Sequence, residues 1–318
     1  MTWWSGWACK LVEISYGLSR MFASLPVFLR VPLACLFLLV NTVLHVLPLF
    51  LLTLVRLVLP VRSLRDACGG ALVRIAESWL SVNAWLWGAF TRTRWTVEGV
   101  DGLTPRDNYL VVCNHQSWID IPALQKVFNR RIPFMRFFLK SQLIWVPLLG
   151  PAWWALDFPF MKRHSREELE RRPELKSRDR DATRRACEKF RHVPVAIMNF
   201  TEGTRFTQAK HDAQKSPYRH LLRPKAGGVA FVIDAMGDAI RHMLDVTIVY
   251  PDGAGSMMDM IAGRIREVRI HVRKLPILDS MRGDYENDTA FRERFQAWIN
   301  ELWTEKDERI AQSLARPS

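Results

Sequence analysis

The chain has 318 residues, 49% hydrophobic and 24% charged, a balance that excludes disorder over its whole length and suits one large or two modest domains. Lys and Arg number 45 against 32 Asp and Glu, a surplus of +13 that points to an anionic partner: nucleic acid, a phospholipid surface or a phosphorylated substrate. Cys9, Cys35, Cys68, Cys113 and Cys187 are odd in number and form no close-spaced metal knuckle. Neither a disulfide framework nor a zinc ribbon is expected, and the thiols read as reduced.

Trp3, Trp4 and Trp7 open the chain, followed by Leu11, Ile14, Leu18 and Phe22 at helical spacing with Lys10, Arg20 and Arg30 around them. That pattern suits an interfacial helix, or equally an amphipathic helix packed on the protein. From Val31 to Val55 there are 25 consecutive residues without Asp, Glu, Lys or Arg. As a helix they extend about 37 Å, more than the roughly 30 Å of a hydrocarbon core, and no small-residue cleavage site follows. Pro32 and Pro48 are candidate kinks, while Asn41, Thr42 and His45 are polar. Residues 1–62 therefore read as a hydrophobic helical membrane anchor. It is either one tilted span or a pair of short helices, bent near Pro48, that re-enter one leaflet. Both flanks are basic, which leaves orientation open.

Residues 63–94 read as a helical connector with Leu72, Ile75, Trp79, Val82 and Leu86 on one face. From Trp95 the texture changes. β-Rich runs at Tyr109–Cys113, Val195–Phe200, Val246–Tyr250 and Val268–Val272 alternate with helical stretches. Phe291, Phe295, Trp298, Ile299 and Leu302 mark a closing amphipathic helix. This alternation predicts an α/β domain over residues 95–318, with a largely buried central sheet flanked by helices. Lys162–Arg191 holds 12 Lys/Arg against 7 Asp/Glu and reads as a solvated helix or loop. Arg205–Lys225 holds 6 Lys/Arg against Asp212 alone and follows a strand, which makes it the better candidate for gripping a phosphate.

The strand Tyr109–Cys113 runs into Asn114-His115-Gln116-Ser117-Trp118-Ile119-Asp120. With His115 on the turn and Asp120 in the first helical turn, the carboxylate can accept from one ring nitrogen and leave the other free for a proton. The same spacing also suits an N-capping Asn followed by an ordinary surface histidine. After Val195–Phe200 comes Thr201-Glu202-Gly203-Thr204-Arg205: a glycine for close backbone approach, a hydroxyl and a planar guanidinium suited to phosphate. Met161-Lys162-Arg163-His164 follows an apolar strand candidate, Leu156–Phe160, and Tyr250-Pro251 ends Val246–Tyr250.

In order, Asn-His-Gln-Ser-x-x-Asp, a basic pair after a strand, Phe-x-Glu-Gly-Thr-Arg and a β-run ending in proline resemble the glycerolipid acyltransferase family. These are the lysophosphatidic acid acyltransferases and their relatives, with their His-x4-Asp signature. The resemblance covers roughly residues 95–275. Phe-Thr-Glu-Gly-Thr-Arg-Phe, Leu-Leu-x-Pro-Lys at 221–225 and Asp245-Val-Thr-Ile-Val-Tyr look most like the subgroup with lysocardiolipin-type and bacterial paralogue enzymes. Thr201 stands where that family usually has proline, and Lys162-Arg163 where a glycine and one arginine are common. Only Pro251 of the fourth block carries over, as a structural residue.

The resemblance implies that family's mixed sheet and direct acyl transfer to the sn-2 hydroxyl of lysophosphatidic acid. His115 would be the general base and Asp120 would orient it. Arg205, with Gly203 and Thr204, would hold the substrate phosphate, and Glu202 would hydrogen-bond the glycerol or support the arginine. Lys162 or Arg163 would add a phosphate contact, and Asn114, Ser117 and Lys225 are additional positions. Ser117 reads as turn-stabilising rather than nucleophilic, since no Gly-x-Ser-x-Gly elbow is present. No metal or cofactor is implied, only acyl-CoA or acyl-carrier protein as co-substrate. The expected partners are a lysophospholipid, the acyl thioester and an anionic phospholipid membrane, with no nucleic acid. The expected location is a bacterial inner membrane, with the catalytic domain facing the cytoplasm. Other acceptors in the same superfamily are lysocardiolipin-type lysolipids and glycerol-3-phosphate. A membrane-tethered basic protein that binds anionic lipid is the reading from another class. The apolar stretch Leu143–Leu156 would line an acyl tunnel, touch lipid or simply pack.

Overall fold

The computed structural model describes residues 22–161, 171, 190 and 193–316. The interfacial helix expected over the first 30 residues therefore lies mostly outside the described residues, as do Lys162, Arg163 and most of the basic stretch to Arg191.

Two long helices lead into the sheet domain: α1 (Val27–Val58) and α2 (Arg62–Phe90). α1 runs as one continuous helix through Pro32 and Pro48 rather than as two short helices. Its hydroxyls turn inward instead, Thr42 Oγ1 donating to the Leu38 carbonyl and Thr53 Oγ1 to that of Leu49, both at 2.7 Å. α1 and α2 form an antiparallel hairpin. Asn41 Nδ2 donates to Asn83 Oδ1 at 2.8 Å, and the His45 ring meets Ser78 Oγ at 3.2 Å. The polar residues of the apolar run thus find their partners on α2 rather than in lipid. The remaining face of α1 is apolar and open, with Phe28 73%, Leu44 63%, Leu51 65% and Val58 80% exposed. α1 is long and apolar enough to cross a membrane.

Both ends of α1 are nonetheless tied to the globular domain. Arg30, itself buried, donates from Nη1 to the Ala23 carbonyl at 2.7 Å and from Nη2 to the Ala262 carbonyl. Arg56, at the other end, donates to Asp157 Oδ2 at 3.2 Å.

The domain is a six-stranded sheet in the order β1–β8–β7–β2–β6–β3. Its strands are β1 (Arg94–Glu98), β2 (Tyr109–Cys113), β3 (Met135–Phe137), β6 (Ala196–Phe200), β7 (His242–Val249) and β8 (Glu267–Pro276). β7 and β8 are antiparallel and every other pairing is parallel, which gives the mixed sheet expected. All five residues of β2 are buried. Tyr109, Val111 and Cys113 face the core beneath α1, α2 and α3 (Asp120–Phe128), while Leu110 and Val112 face that beneath α6 (Gly227–Met236) and α8 (Thr289–Ala315). Burial on both sides explains why β2 reads as an uninterrupted apolar run rather than an alternation.

The expected strand at Leu156–Phe160 is corrected by the structure. Leu149–Ala155 forms a short helix, α4, and only β5 (Phe160–Met161) pairs, with β4 (Leu139–Lys140). Leu156 and Asp157 form a turn instead, with Asp157 at φ +59°, so the chain enters a strand only at Phe160, and an apolar stretch this short does not fix its conformation by pattern. The helix in the connector region runs from Arg62 to Phe90, and α8 buries Phe291, Phe295, Ile299 and Leu302 as its spacing requires.

Candidate active site

The site gathers at the carboxyl ends of β2 and β6, two parallel neighbours in the middle of the sheet. Asn114 locks the end of β2 to β7. Its Nδ2 donates to the Ile248 carbonyl and its Oδ1 accepts from the Ile248 N–H, both at 2.9 Å. Asn114 is thus a backbone splice between strands. The chain then turns, placing His115 before α3 and Asp120 at its start.

His115 Nδ1 lies 2.8 Å from Asp120 Oδ2. The same oxygen accepts the N–H groups of Gln116 at 2.7 Å and Ser117 at 2.9 Å, and Oδ1 accepts from the Tyr250 hydroxyl at 2.7 Å. Asp120 is fully buried, and the His115 side chain is 14% exposed. A buried carboxylate that accepts from four donors is held in one orientation, which aims the imidazole and fixes Nδ1–H as its donor. Among the described residues Nε2 has no partner, and the ring stacks on Phe200 at 3.8 Å between centroids. Burial and the neighbouring Asp120 carboxylate push the Tyr250 phenol well above its ordinary value, so it stays a donor to Asp120.

The loop after β6 is sewn to this turn. Glu202 Oε1 accepts the His115 N–H at 3.2 Å, Oε2 accepts the Leu222 N–H at 3.3 Å, and the Phe206 N–H donates to the His115 carbonyl at 2.7 Å. Glu202 is 1% exposed, and burial pushes its carboxyl up to about 8. Its two oxygens face backbone rather than Arg205 or open space. In place of the rigidity that proline would give at Thr201, the Lys225 N–H donates to the Thr201 carbonyl at 2.8 Å and the Gly203 N–H to the Phe200 carbonyl at 2.9 Å.

Gly203 has φ +70°, and a Cβ there would stand 3.4–3.5 Å from the end of the Lys225 side chain. Glycine therefore supplies the left-handed turn, with the end of the Lys225 side chain beside it. Arg205 lies over the exposed Trp118 ring, 4.3 Å from its centroid. Lys210 Nζ donates to Thr204 Oγ1 at 2.8 Å and to the Arg205 carbonyl at 2.9 Å. Three cations, Arg205, Lys210 and Lys225, thus flank one loop that also touches His115. Ser117 Oγ donates to the Gly255 carbonyl at 2.5 Å and accepts the Ile119 N–H at 3.3 Å. Lys162 and Arg163 lie outside the described residues. Among the described residues no cluster of His, Cys, Asp or Glu is arranged to hold a metal ion. A separate groove of about 480 Å³ between β8 and α8 contains neither His115 nor Arg205.

Residues 94–251 match the family model described as Acyltransferase. The α/β domain belongs to the acyltransferase family. Over 254 residues, 74% of its length, the chain is 27% identical to lysocardiolipin acyltransferase 1 of Danio rerio. It is 26% identical over 253 residues to that of Mus musculus, and 23% identical over 215 residues to the 1-acyl-sn-glycerol-3-phosphate acyltransferase delta of Homo sapiens. The chain spans 60% of the length of the Danio rerio protein and 52% of the human one. A solved structure, the 1-acyl-sn-glycerophosphate acyltransferase PlsC of Thermotoga maritima, aligns over 92% of this chain and 100% of its own with a TM-score of 0.55 and 17% identity. It shows the same fold.

Within this acyltransferase domain, sequence reasoning missed Tyr250, Phe200, Trp118 and Lys210 as parts of the site. Tyr250 carried a signal, since a tyrosine closing a buried strand needs a partner for its hydroxyl. Trp118 and Lys210 meet their partners only through the fold.

Proposed function

We propose that this acyltransferase moves an acyl group from a thioester, acyl-CoA or acyl-carrier protein, to the sn-2 hydroxyl of lysophosphatidic acid, forming phosphatidic acid. The His115–Asp120 pair, with Nε2 free beside the cationic loop, carries this reading. Nε2 takes the proton of the acceptor hydroxyl as its oxygen attacks the thioester carbonyl. The new C–O bond forms, the C–S bond breaks, and the imidazolium returns the proton to the departing thiolate. Asp120 keeps Nδ1–H in place and balances the imidazolium charge without taking the proton. Arg205, Lys210 and Lys225 supply the charge that holds the acceptor phosphate, with the Thr204 hydroxyl and the open backbone at Gly203 beside them. Lys162 or Arg163 would add a further contact.

The same reading seats α1 in the membrane surface. Its two ends are bonded to one globular domain, and its apolar face is open, which suits a helix lying in the plane of one leaflet. Each buried methylene contributes about 0.8 kcal/mol, so a long-chain lysolipid drawn wholly into water would cost on the order of 10 kcal/mol. A site at the bilayer surface avoids that step. The location we infer is a bacterial inner membrane, with the domain facing the cytoplasm.

Purified full-length protein in detergent, given palmitoyl- or oleoyl-CoA and a panel of acceptors, tests the assignment through thiol release and product lipid. Lysophosphatidic acid is the expected acceptor. The names of the Danio rerio and Mus musculus relatives favour a second reading, acylation of a lysocardiolipin-type lysolipid, and preference for that lipid would select it. Acylation of glycerol-3-phosphate instead would refute both. Lipid binding without turnover would leave a membrane-tethered binding protein.

A further inference from the structure

Far from the catalytic loop, the end of α1, the start of α2 and α4 enclose a groove of about 560 Å³ whose polar lining includes Arg56, Arg62, Arg65, Asp66 and Asp157, with Trp154 at its wall. The cations outnumber the carboxylates three to two. Arg56 is spent on Asp157 and the Ala155 carbonyl. Arg62 reaches Asp66 only at 4.0 Å, with 84% and 71% of the two side chains exposed. Among the described residues the Arg65 guanidinium has no partner. Arg62 and Arg65 also stand in the first turn of α2, where the helix dipole disfavours cations, so helix stability does not explain them.

The surroundings identify what such a groove meets. The open face of α1 ends at its edge, with Leu51 65%, Leu54 61%, Leu57 62% and Val58 80% exposed. Trp154 is 51% exposed and Trp145, on the neighbouring turn, 85%. An apolar band that gives way within one turn to tryptophan and then to arginine matches the boundary between acyl chains and headgroups. The groove is also separate from catalysis. Arg56 lies about 39 Å along α1 from Arg30, at roughly 1.5 Å per residue. Arg30 marks the end of α1 that approaches the catalytic side of the domain, through Ala262.

We propose that this groove binds the phosphate headgroup of an anionic bilayer phospholipid, a second lipid contact that docks and orients the domain. It rests on the seating of α1 in one leaflet inferred above. The phosphate would sit between Arg62 and Arg65, with Trp154 at the glycerol level and the acyl chains along Leu54 and Leu57.

The test is flotation of the full chain with vesicles of phosphatidylcholine, alone or doped with phosphatidylglycerol. For Arg62→Gln/Arg65→Gln, binding to the doped vesicles should fall about fivefold per arginine, about 25-fold for the pair. Binding to pure phosphatidylcholine should hold within about twofold, which also reports an intact fold. The charge-matched pair Arg292→Gln/Arg294→Gln, on the exposed start of α8, should lose less than about threefold on doped vesicles. Inorganic phosphate should not displace the wild type at matched ionic strength. Equal losses on both vesicle types, equal losses for the two pairs, or displacement by inorganic phosphate would each overturn the proposal. Wild type that floats with neither vesicle would instead overturn the seating of α1, and acyl transfer in detergent is read separately.

Discussion

Trp118 and Arg205 meet ring to guanidinium at 4.3 Å, joining the histidine loop to the Glu-Gly-Thr-Arg loop in addition to their backbone bonds. Trp118 comes three residues after His115, so under the proposed reading the contact sets where the acceptor phosphate stands relative to Nε2. A cation–π contact of this kind contributes about 0.5–2 kcal/mol. Trp118→Ala should raise KM for the lysolipid about three- to tenfold and lower kcat less, as initial rates over a lysolipid titration would show. A change confined to kcat would place Trp118 elsewhere in the mechanism.

Asp120 receives four donors, and only one of them is His115. Asp120→Asn loses the anion and presents an N–H₂ to donors, releasing the tautomer of His115. Turnover should fall about 10²–10⁴-fold. Tyr250→Phe removes one donor and leaves the anion in place. It should cost about 1–3 kcal/mol of stability and reduce kcat far less than Asp120→Asn. Thermal unfolding and thiol release on the same samples separate the two effects.

Much of this arrangement was legible beforehand. β2 and the turn carrying His115 and Asp120 stand out because an apolar run ends abruptly in polar residues, and the Glu-Gly-Thr-Arg turn follows another such run. The part played by Glu202 was not legible. A glutamate beside an arginine reads as its ion-pair partner, and only the fold shows its oxygens turned to the N–H groups of His115 and Leu222. Lys306 was equally hidden. It lies on the buried face of α8, where spacing predicts an apolar residue, and its partner Asp245 is 61 positions away. Leu156–Phe160 misled in the other direction, because only Phe160 of that stretch enters a strand and so short an apolar run does not fix its own conformation.

Burial raises the Glu202 carboxyl from 4.5 to about 8, so across that window the folded state keeps a proton that the unfolded chain has released. Its contribution to stability is full below about pH 4.5 and is lost as pH rises through about 8. Glu202→Gln is neutral throughout. It should start about 1 kcal/mol less stable, having lost one acceptor, and should decline less with rising pH. Urea unfolding of both proteins at several pH values measures the difference, and parallel profiles would contradict the assignment.

Lys306 Nζ, fully buried, donates to Asp245 Oδ1 at 2.5 Å and to the Val246 carbonyl at 2.6 Å, while Arg273 holds Asp245 Oδ2 at 2.7 Å. This network clamps α8 to β7, the neighbour of β2 in the sheet. Lys306→Met leaves half of the Asp245 carboxylate unpaired in the interior, so unfolding should cost about 3–5 kcal/mol less. Lys306→Met/Asp245→Asn should recover part of that loss, and denaturant unfolding of the pair would show it.

The central claim is that His115 acts as a base on the acceptor hydroxyl rather than as a substrate-binding group. The direct measurement compares wild type with His115→Ala for thiol release from acyl-CoA and, on the same protein, for binding of radiolabelled lysophosphatidic acid. Turnover should drop about 10²–10⁴-fold while lysolipid affinity stays within a few-fold. Turnover kept within tenfold of wild type, or lysolipid affinity lost in step with it, would contradict that role.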